Sequence, residues 1–230
     1  MEQQIEAWLL EQSKRLFIAS PDFDDPESVH RMRVASRRLR VGLRLLGVRR
    51  VPSLARLGRA LGAVRTLDVS LALLREAPVR SRSLEQRLRR ERRQRLAQLR
   101  RVYERTEPVV WSGRRANLRR ALAELRRLVR KRLARFEERR SGGAFHKLRI
   151  AVKKYRYGLE AVGAADRIKP LKRLQELMGD CHDVEVLLKG LPAGPLRQYF
   201  EKERKRRRAA VQKFLDGHRR WVEKVKLDYE

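Results

Sequence analysis

One cysteine, Cys181, is present in 230 residues. A lone thiol excludes an internal disulfide and a thiolate metal cluster, and the expected setting is a reducing cytoplasm. No run of ~20 apolar residues exists, which excludes a membrane-spanning helix. The opening residues, Met1 to Glu6, lack the basic start and apolar core of a secretory signal, so none is expected. Aromatic residues are scarce, at 6%. No alternating apolar–polar run is long enough to argue for a strand. The sequence has no Gly-rich loop ending in Lys-Ser/Thr for a nucleoside triphosphate, and no compact carboxylate cluster to hold magnesium.

Acidic residues are the largest deficit. Against 28 Asp and Glu stand 59 Lys and Arg, a net charge of +31. Of the basic residues, 46 are Arg. Guanidinium presents a planar fork of donors that matches phosphate oxygens, and it keeps its charge in most surroundings. Self-repulsion on this scale opposes the compact state, and a polyanion bound only by the folded form would offset it. The plainer reading of a single Arg is a solvated helix face. The whole excess asks for a polyanion. Disorder is excluded, because 42% of residues are apolar and recur at helical spacing.

Gly, Pro and Ser divide the chain into eight apolar-periodic segments. Helices are predicted near 2–19, 26–46, 53–76, 83–106, 114–140, 144–163, 169–189 and 195–227. Asp25-Pro26-Glu27 is a strong start, with a capping carboxylate followed by Pro. Ser83-Leu84-Glu85-Gln86 reads as a capping box. Gly47 with Pro52, Pro78, Pro108, Gly142-Gly143, Gly163 and Gly190 fall where helices should stop.

An internal repeat organises these helices. Residues 30–43 read HRMRVASRRLRVGL and residues 146–159 read HKLRIAVKKYRYGL, an offset of 116 with six of fourteen positions identical. At offset 117, Leu57, Leu61-Gly62 and Val69 align with Leu174, Met178-Gly179 and Val186. The expected fold is all-α: repeat 1 (1–107) and repeat 2 (114–230), each a four-helix bundle, related by an internal pseudo-twofold axis.

A wheel of residues 30–46 puts His30, Arg33, Arg37, Arg40 and Arg44 in one file between two apolar stripes. Met32, Ala35, Leu39, Leu43 and Leu46 form the larger stripe; Val34, Val41 and Leu45 form the smaller. Arg31 and Arg38 lie between the stripes on the other side. In the second copy His146, Arg149, Lys153 and Arg156 form the file, and Glu160 stands where the first has Arg44. An ordinary surface helix has one apolar and one polar face. A cationic file with apolar edges cannot be buried dry and should line a wet groove. Two files from two halves would make one basic central cavity.

The segment Val29–Arg40, its echo at Phe145–Arg156, and the two Leu/Met-Gly segments resemble the CHAD family, the conserved histidine α-helical domain. The resemblance covers essentially the whole chain, 1–230, as a single domain. It implies an all-α fold of two symmetric four-helix bundles that binds inorganic polyphosphate in a basic central cavity. It implies association with polyphosphate granules, and a separately encoded triphosphate-processing partner, since no such domain is appended here. Carried over by position, it points to His30, Arg33, Arg37, Arg38 and Arg40, and to His146, Lys147, Arg149, Lys153, Lys154 and Arg156. The wheel adds Arg44. The family usually has Asp four residues after this Gly, as with Gly179 and Asp183. The first half has Thr66 there, with Asp68 two residues on, so that carboxylate is missing or displaced.

The same residues admit other readings. The four histidines suggest a metal, but their Arg-rich neighbourhood repels a divalent cation, and none is expected. His30 and His146 could instead bond phosphate, act as acid–base groups, or be structural. Cys181-His182-Asp183 reads as a nucleophile set only as text, because consecutive helical side chains diverge by about 100°. No enzyme activity and no cofactor are expected. Non-specific RNA or DNA binding through phosphates is the chief alternative. It is weakened by the position of Trp8, Trp111 and Trp221 far from the file in sequence, although Tyr155 and Tyr157 flank its second copy. A scaffold docking acidic proteins through 83–106 and 195–227, with its run Arg204 to Arg208, is the third.

Overall fold

The computed structural model describes residues 2–48, 51–111, 117–164 and 168–218. All regular structure in them is helical: α1 Glu2–Leu16, α2 Pro26–Leu45, α3 Pro52–Glu76, α4 Arg82–Glu104, α5 Leu118–Arg139, α6 Gly142–Ala161, α7 Ile168–Lys189 and α8 Pro195–Gly217. No helix of the described residues is long and apolar enough to cross a membrane.

The α2 start is as predicted. The Asp25 side chain accepts from the Glu27 and Ser28 amides at 2.9 Å each, and Pro26 opens the helix without needing a donor. The expected box at Ser83 is not used. The helix begins one residue earlier at Arg82, with Ser81 in the cap position making no side-chain cap bond. Gly142-Gly143 do mark a break, but they form the first turn of α6. Ser141 caps it, accepting from the Ala144 amide. The preceding stop is Arg140, in the left-handed region at φ 44°. The predicted extensions of α5 to 114 and of α8 past 218 fall outside the described residues.

Both copies of the repeated helix end by the same device. Gly47 and Gly163 take φ of 81° and 71°. Val48 N then donates to Leu43 O at 2.9 Å, and Ala164 N to Leu159 O at 3.0 Å, the long bond of a Schellman closure.

Within each half, helices contact only their neighbours in sequence. Across halves, α2 meets α6, α3 meets α7, α1 meets α6 and α2 meets α5. This pattern keeps its form when α1–α4 are exchanged for α5–α8. One buried cluster runs through both halves, from Ile5 and Leu9 through Leu39 and Leu61 to Phe145, Met178 and Leu215. A second joins the far ends of α3 and α7 with α4 and α8 through Leu74, Leu84, Leu188 and Phe200. The larger stripe of α2 is buried throughout, Met32, Ala35, Leu39, Leu43 and Leu46 being at most 3% exposed.

Close approach at two equivalent glycines seats the outer helices on the basic ones. A Cβ on Gly42 would stand 2.6 Å from Leu9 Cδ2 and 2.9 Å from Trp8 Cζ3. A Cβ on Gly158 would meet Leu122 and Leu125 of α5 at 3.0 and 3.1 Å. Gly42→Ala should lower unfolding free energy by about 1–3 kcal/mol through overpacking, measured by denaturant melts. Gly158→Ala should cost less, because its contacts are longer and are methyl ends. Arg140→Gly should raise stability by about 0.5–1 kcal/mol, since left-handed φ burdens any residue with a Cβ.

Candidate anion-binding site

The basic files stand on α2 and α6, equivalent helices that meet each other across the halves. Their centre holds Arg33 and Arg37 from α2 with Arg149 and Lys153 from α6. Burial is the first cause acting on each of three members. It pushes the Arg33 guanidinium down to about 9, with Arg37, Arg149 and Arg65 adding repulsion and Asp183 opposing it. Arg149 is lowered by burial, then held up by Asp183 and pushed down again by Arg37. The Lys153 ammonium falls to about 6 through burial and then through Arg149, Arg37 and Arg33. Charges from both halves therefore lie close enough to repel one another, and Asp183 of α7 is the carboxylate that acts on all three.

The donors at this centre are poorly satisfied. Arg149 is only 7% exposed. Its Nε, and those of Arg33 and Arg40, are buried without a hydrogen-bond partner among the described residues, as is His30 Nδ1. Each such group represents about 1–3 kcal/mol of desolvation that a suitable acceptor would recover, more for a charged one. Two glycines of α3 face the guanidiniums at ordinary contact distance, and the tightest neighbour of Gly58 is the Ser36 hydroxyl of α2, 2.9 Å from where a Cβ would stand. Gly58 faces the Arg40 Cζ and Gly62 faces the Arg33 Nε, positions where a Cβ would lie 3.4 and 3.6 Å away.

One side of the centre opens into a groove of about 600 Å³, lined by Arg37, Arg40, Arg44, Arg149, Lys153 and Lys154. Val41, Leu45, Ile150 and Tyr157 line it too, with Ala121, Glu124, Leu125 and Leu128 of α5. Burial lowers the Arg40 guanidinium, and repulsion from Arg37 and Arg59 adds to it. Burial also lowers the Lys154 ammonium, and repulsion from Arg44 and Arg40 adds to it. Six of the twelve sequence-derived residues are thus brought to one groove, with Arg33 directly behind them.

The others are placed differently. Arg38 and Arg156 both bind Glu160, their Nε and Nη1 standing 2.8 Å from its two oxygens. Arg156 Nε also donates to Gln175 at 3.0 Å. His30 lines a separate depression of about 430 Å³ with Arg31 and Arg38 of α2 and Gln12 and Arg15 of α1. Burial lowers its imidazole, with Arg65 the next cause. His146 is exposed, its ring 5.3 Å from that of His182. Burial and then Arg149 push His182 down to about 3. Lys147 is exposed on the flank of α6.

Residues outside the twelve also belong here. Arg65 and His182, equivalent at offset 117, stand beside His30 and His146 respectively. The repeat alignment contained that pairing, but it needed α3 and α7 to be placed against α2 and α6. Asp68 is not a displaced Asp183. It pairs with Arg92 of α4, as Glu185 pairs with Arg208 of α8, and these two ion pairs are equivalent. Thr66 instead bonds its own helix, its hydroxyl donating to Gly62 O at 2.9 Å. The first half therefore lacks the central carboxylate, and Asp183 serves both.

The CHAD domain family model matches residues 1–192. The chain belongs to the CHAD family. Among solved structures it is similar to the crystal structure of the CHAD domain from the plant Ricinus communis, with a TM-score of 0.60 and 22% sequence identity. That match covers 98% of this chain and 90% of the other. At this identity it shows the all-α CHAD fold alone. A comparison with curated proteins finds no match.

A depressed Lys153 has a measurable sign. The unfolded lysine holds its proton to about pH 10.4, whereas the folded one releases it near 6. Between these values the unfolded state binds more protons, so Lys153 makes stability rise with pH from about 6 upward. A bound phosphate chain favours the ammonium form, so binding should take up protons at pH 7.5 and weaken as pH rises. Calorimetric titration with tripolyphosphate in two buffers of different ionisation enthalpy reads that uptake, and Lys153→Arg should reduce it.

Proposed function

We propose that this CHAD protein binds inorganic polyphosphate, through the groove between α2 and α6. The observation that carries the reading is the set of buried guanidinium Nε groups, Arg33, Arg40 and Arg149, without acceptors among the described residues and with cations of both halves around them. A chain of phosphates supplies many acceptors and charges at close spacing and asks for no base-reading contacts. Association with polyphosphate granules in the cytoplasm, and work alongside a separately encoded triphosphate-processing protein, belong to the same proposal.

The aromatic side chains favour this over nucleic acid. Tyr155 and Tyr157 are 6% and 3% exposed, and the Arg156 guanidinium carbon sits 4.8 Å from the Tyr157 ring centre. Trp8 and Trp111 pack against the main core. Trp221 lies outside the described residues. Among the described residues Tyr157 lines the groove, but it is nearly enclosed and offers no open ring face for base stacking. The scaffold reading loses part of its patch as well. Arg206 and Arg207 pair with Glu203, and Arg208 with Glu185. We read the protein as a binder rather than an enzyme. Cys181 is buried, its thiol pushed up to about 11 by burial and then by Glu185, which is the wrong direction for a nucleophile.

The test is competition among long-chain polyphosphate, single-stranded RNA and duplex DNA at physiological salt. Polyphosphate should win at matched charge; equal or tighter RNA binding would sink the reading. Arg37→Ala with Lys153→Ala should weaken long-chain binding far more than Arg90→Ala with Lys205→Ala, which likewise removes one Arg and one Lys but from exposed positions. Each lost desolvated, charged hydrogen bond costs about 1.5–3 kcal/mol, and an exposed one under about 1. Equal losses would mean a diffuse field and no site. No orthophosphate should be released with added magnesium or manganese.

A further inference from the structure

The offset of 116 pairs the residues at two edges of the α2–α6 contact. At one edge Lys154 stands with Arg40 and Arg44. At the other the equivalent positions are Arg38, Arg156 and Glu160. Five of these six residues are basic, and the exception decides what each edge does. Arg40 and Arg44 only repel Lys154, and Arg40 Nε has no partner among the described residues. At the other edge Glu160 gives one carboxylate oxygen to each of two guanidiniums, Arg38 from one half and Arg156 from the other, at 2.8 Å. Gln175 accepts from Arg156 as well, and it occupies the place where the first half has Gly58. Glu160 is largely shielded, its side chain 13% exposed.

A carboxylate shared between two guanidiniums reproduces the contacts of a bridging phosphate group. The open edge carries three cations, and the closed edge two cations and one anion. We propose that Glu160 is a built-in anion that closes one of two equivalent edges, so that a polyphosphate chain seated on the central cations extends only along the Arg40–Arg44–Lys154 edge and its cationic track ends at Glu160. The inference rests on the polyphosphate reading and deepens it: Glu160 sets how many phosphates the site can engage. Arg38 and Arg156 then position α2 against α6 instead of touching ligand.

The experiment uses polyphosphates of defined length, from tripolyphosphate upward, titrated into the full chain. Affinity for the unmodified protein should stop rising at a short length. Glu160→Gln should move that plateau to longer chains and strengthen long-chain binding by about tenfold, the order expected when two buried guanidiniums exchange an internal for an external partner. Arg44→Glu, which copies the closed edge onto the open one, should weaken binding of all lengths. Arg38→Ala should leave affinity within about twofold while lowering the thermal midpoint, since it loses a packing ion pair and no ligand contact. It also keeps the idea testable if Glu160→Gln folds poorly. Equal losses for Arg38→Ala and Arg44→Ala, or an unmoved plateau in a folded Glu160→Gln, would overturn this inference and leave polyphosphate binding standing. No binding of any length by the unmodified protein would overturn both.

Discussion

Repulsion among buried cations is the constraint around which the molecule is built. Arg33, Arg37, Arg149 and Lys153 come from two helices that must touch for the main core to close, and Asp183 is the carboxylate that acts on three of them. Apolar burial on the far sides of α2 and α6 forces the approach. The stripe from Met32 to Leu46 is almost wholly enclosed, and Gly42 and Gly158 let α1 and α5 press on the same helices. The core thus holds charges at a separation they would not choose. A site that is costly in the free protein is correspondingly well matched to an anion, because little rearrangement is left to make when the acceptors arrive.

The outer helices bear none of that tension. Asp68 with Arg92 and Glu185 with Arg208 tie α4 to α3 and α8 to α7 through ion pairs. Each is partly shielded, and losing one partner would leave an uncompensated charge. Among the described residues other carboxylates, such as Glu91, Glu176 and Glu203, are likewise placed on the chain's own arginines away from the centre. The positive excess is consequently uneven: neutralised where helices need fastening, and left exposed to its neighbours where α2 meets α6.

Much of this was legible in the residues. The repeat at 30–43 and 146–159, the apolar stripes and the basic file specified which two helices matter and which side of each is charged. Glu160 was visible as the one acidic break in the file. A helical wheel gives angles about one axis and does not say which neighbour each angle meets. That is why Arg38 and Arg156, basic and in the family pattern, could not be separated from Arg40 and Lys154 until Glu160 and Gln175 had been placed. The same limit hid the approach of Arg40 to Gly58 and of Arg33 to Gly62, which look like ordinary helix glycines in the sequence. It also left Asp68 ambiguous, since only the position of α4 assigns it to Arg92. Helix ends failed where local signals competed, as at Ser83, with Ser81 also able to start α4, and at Arg140, a helix stop with no glycine.

The covalent joining of the two halves has a consequence of its own. In a dimer of identical chains every substitution appears twice, and an acidic residue that closes one edge would close the other. A fused duplicate is free of that rule. Thr66 against Asp183 and Arg44 against Glu160 are differences that no homodimer could hold. The central carboxylate is present once, and so is the acidic edge. Joining the copies lets the chain keep equivalent ion pairs at Asp68–Arg92 and Glu185–Arg208 while giving the α2–α6 contact a front and a back.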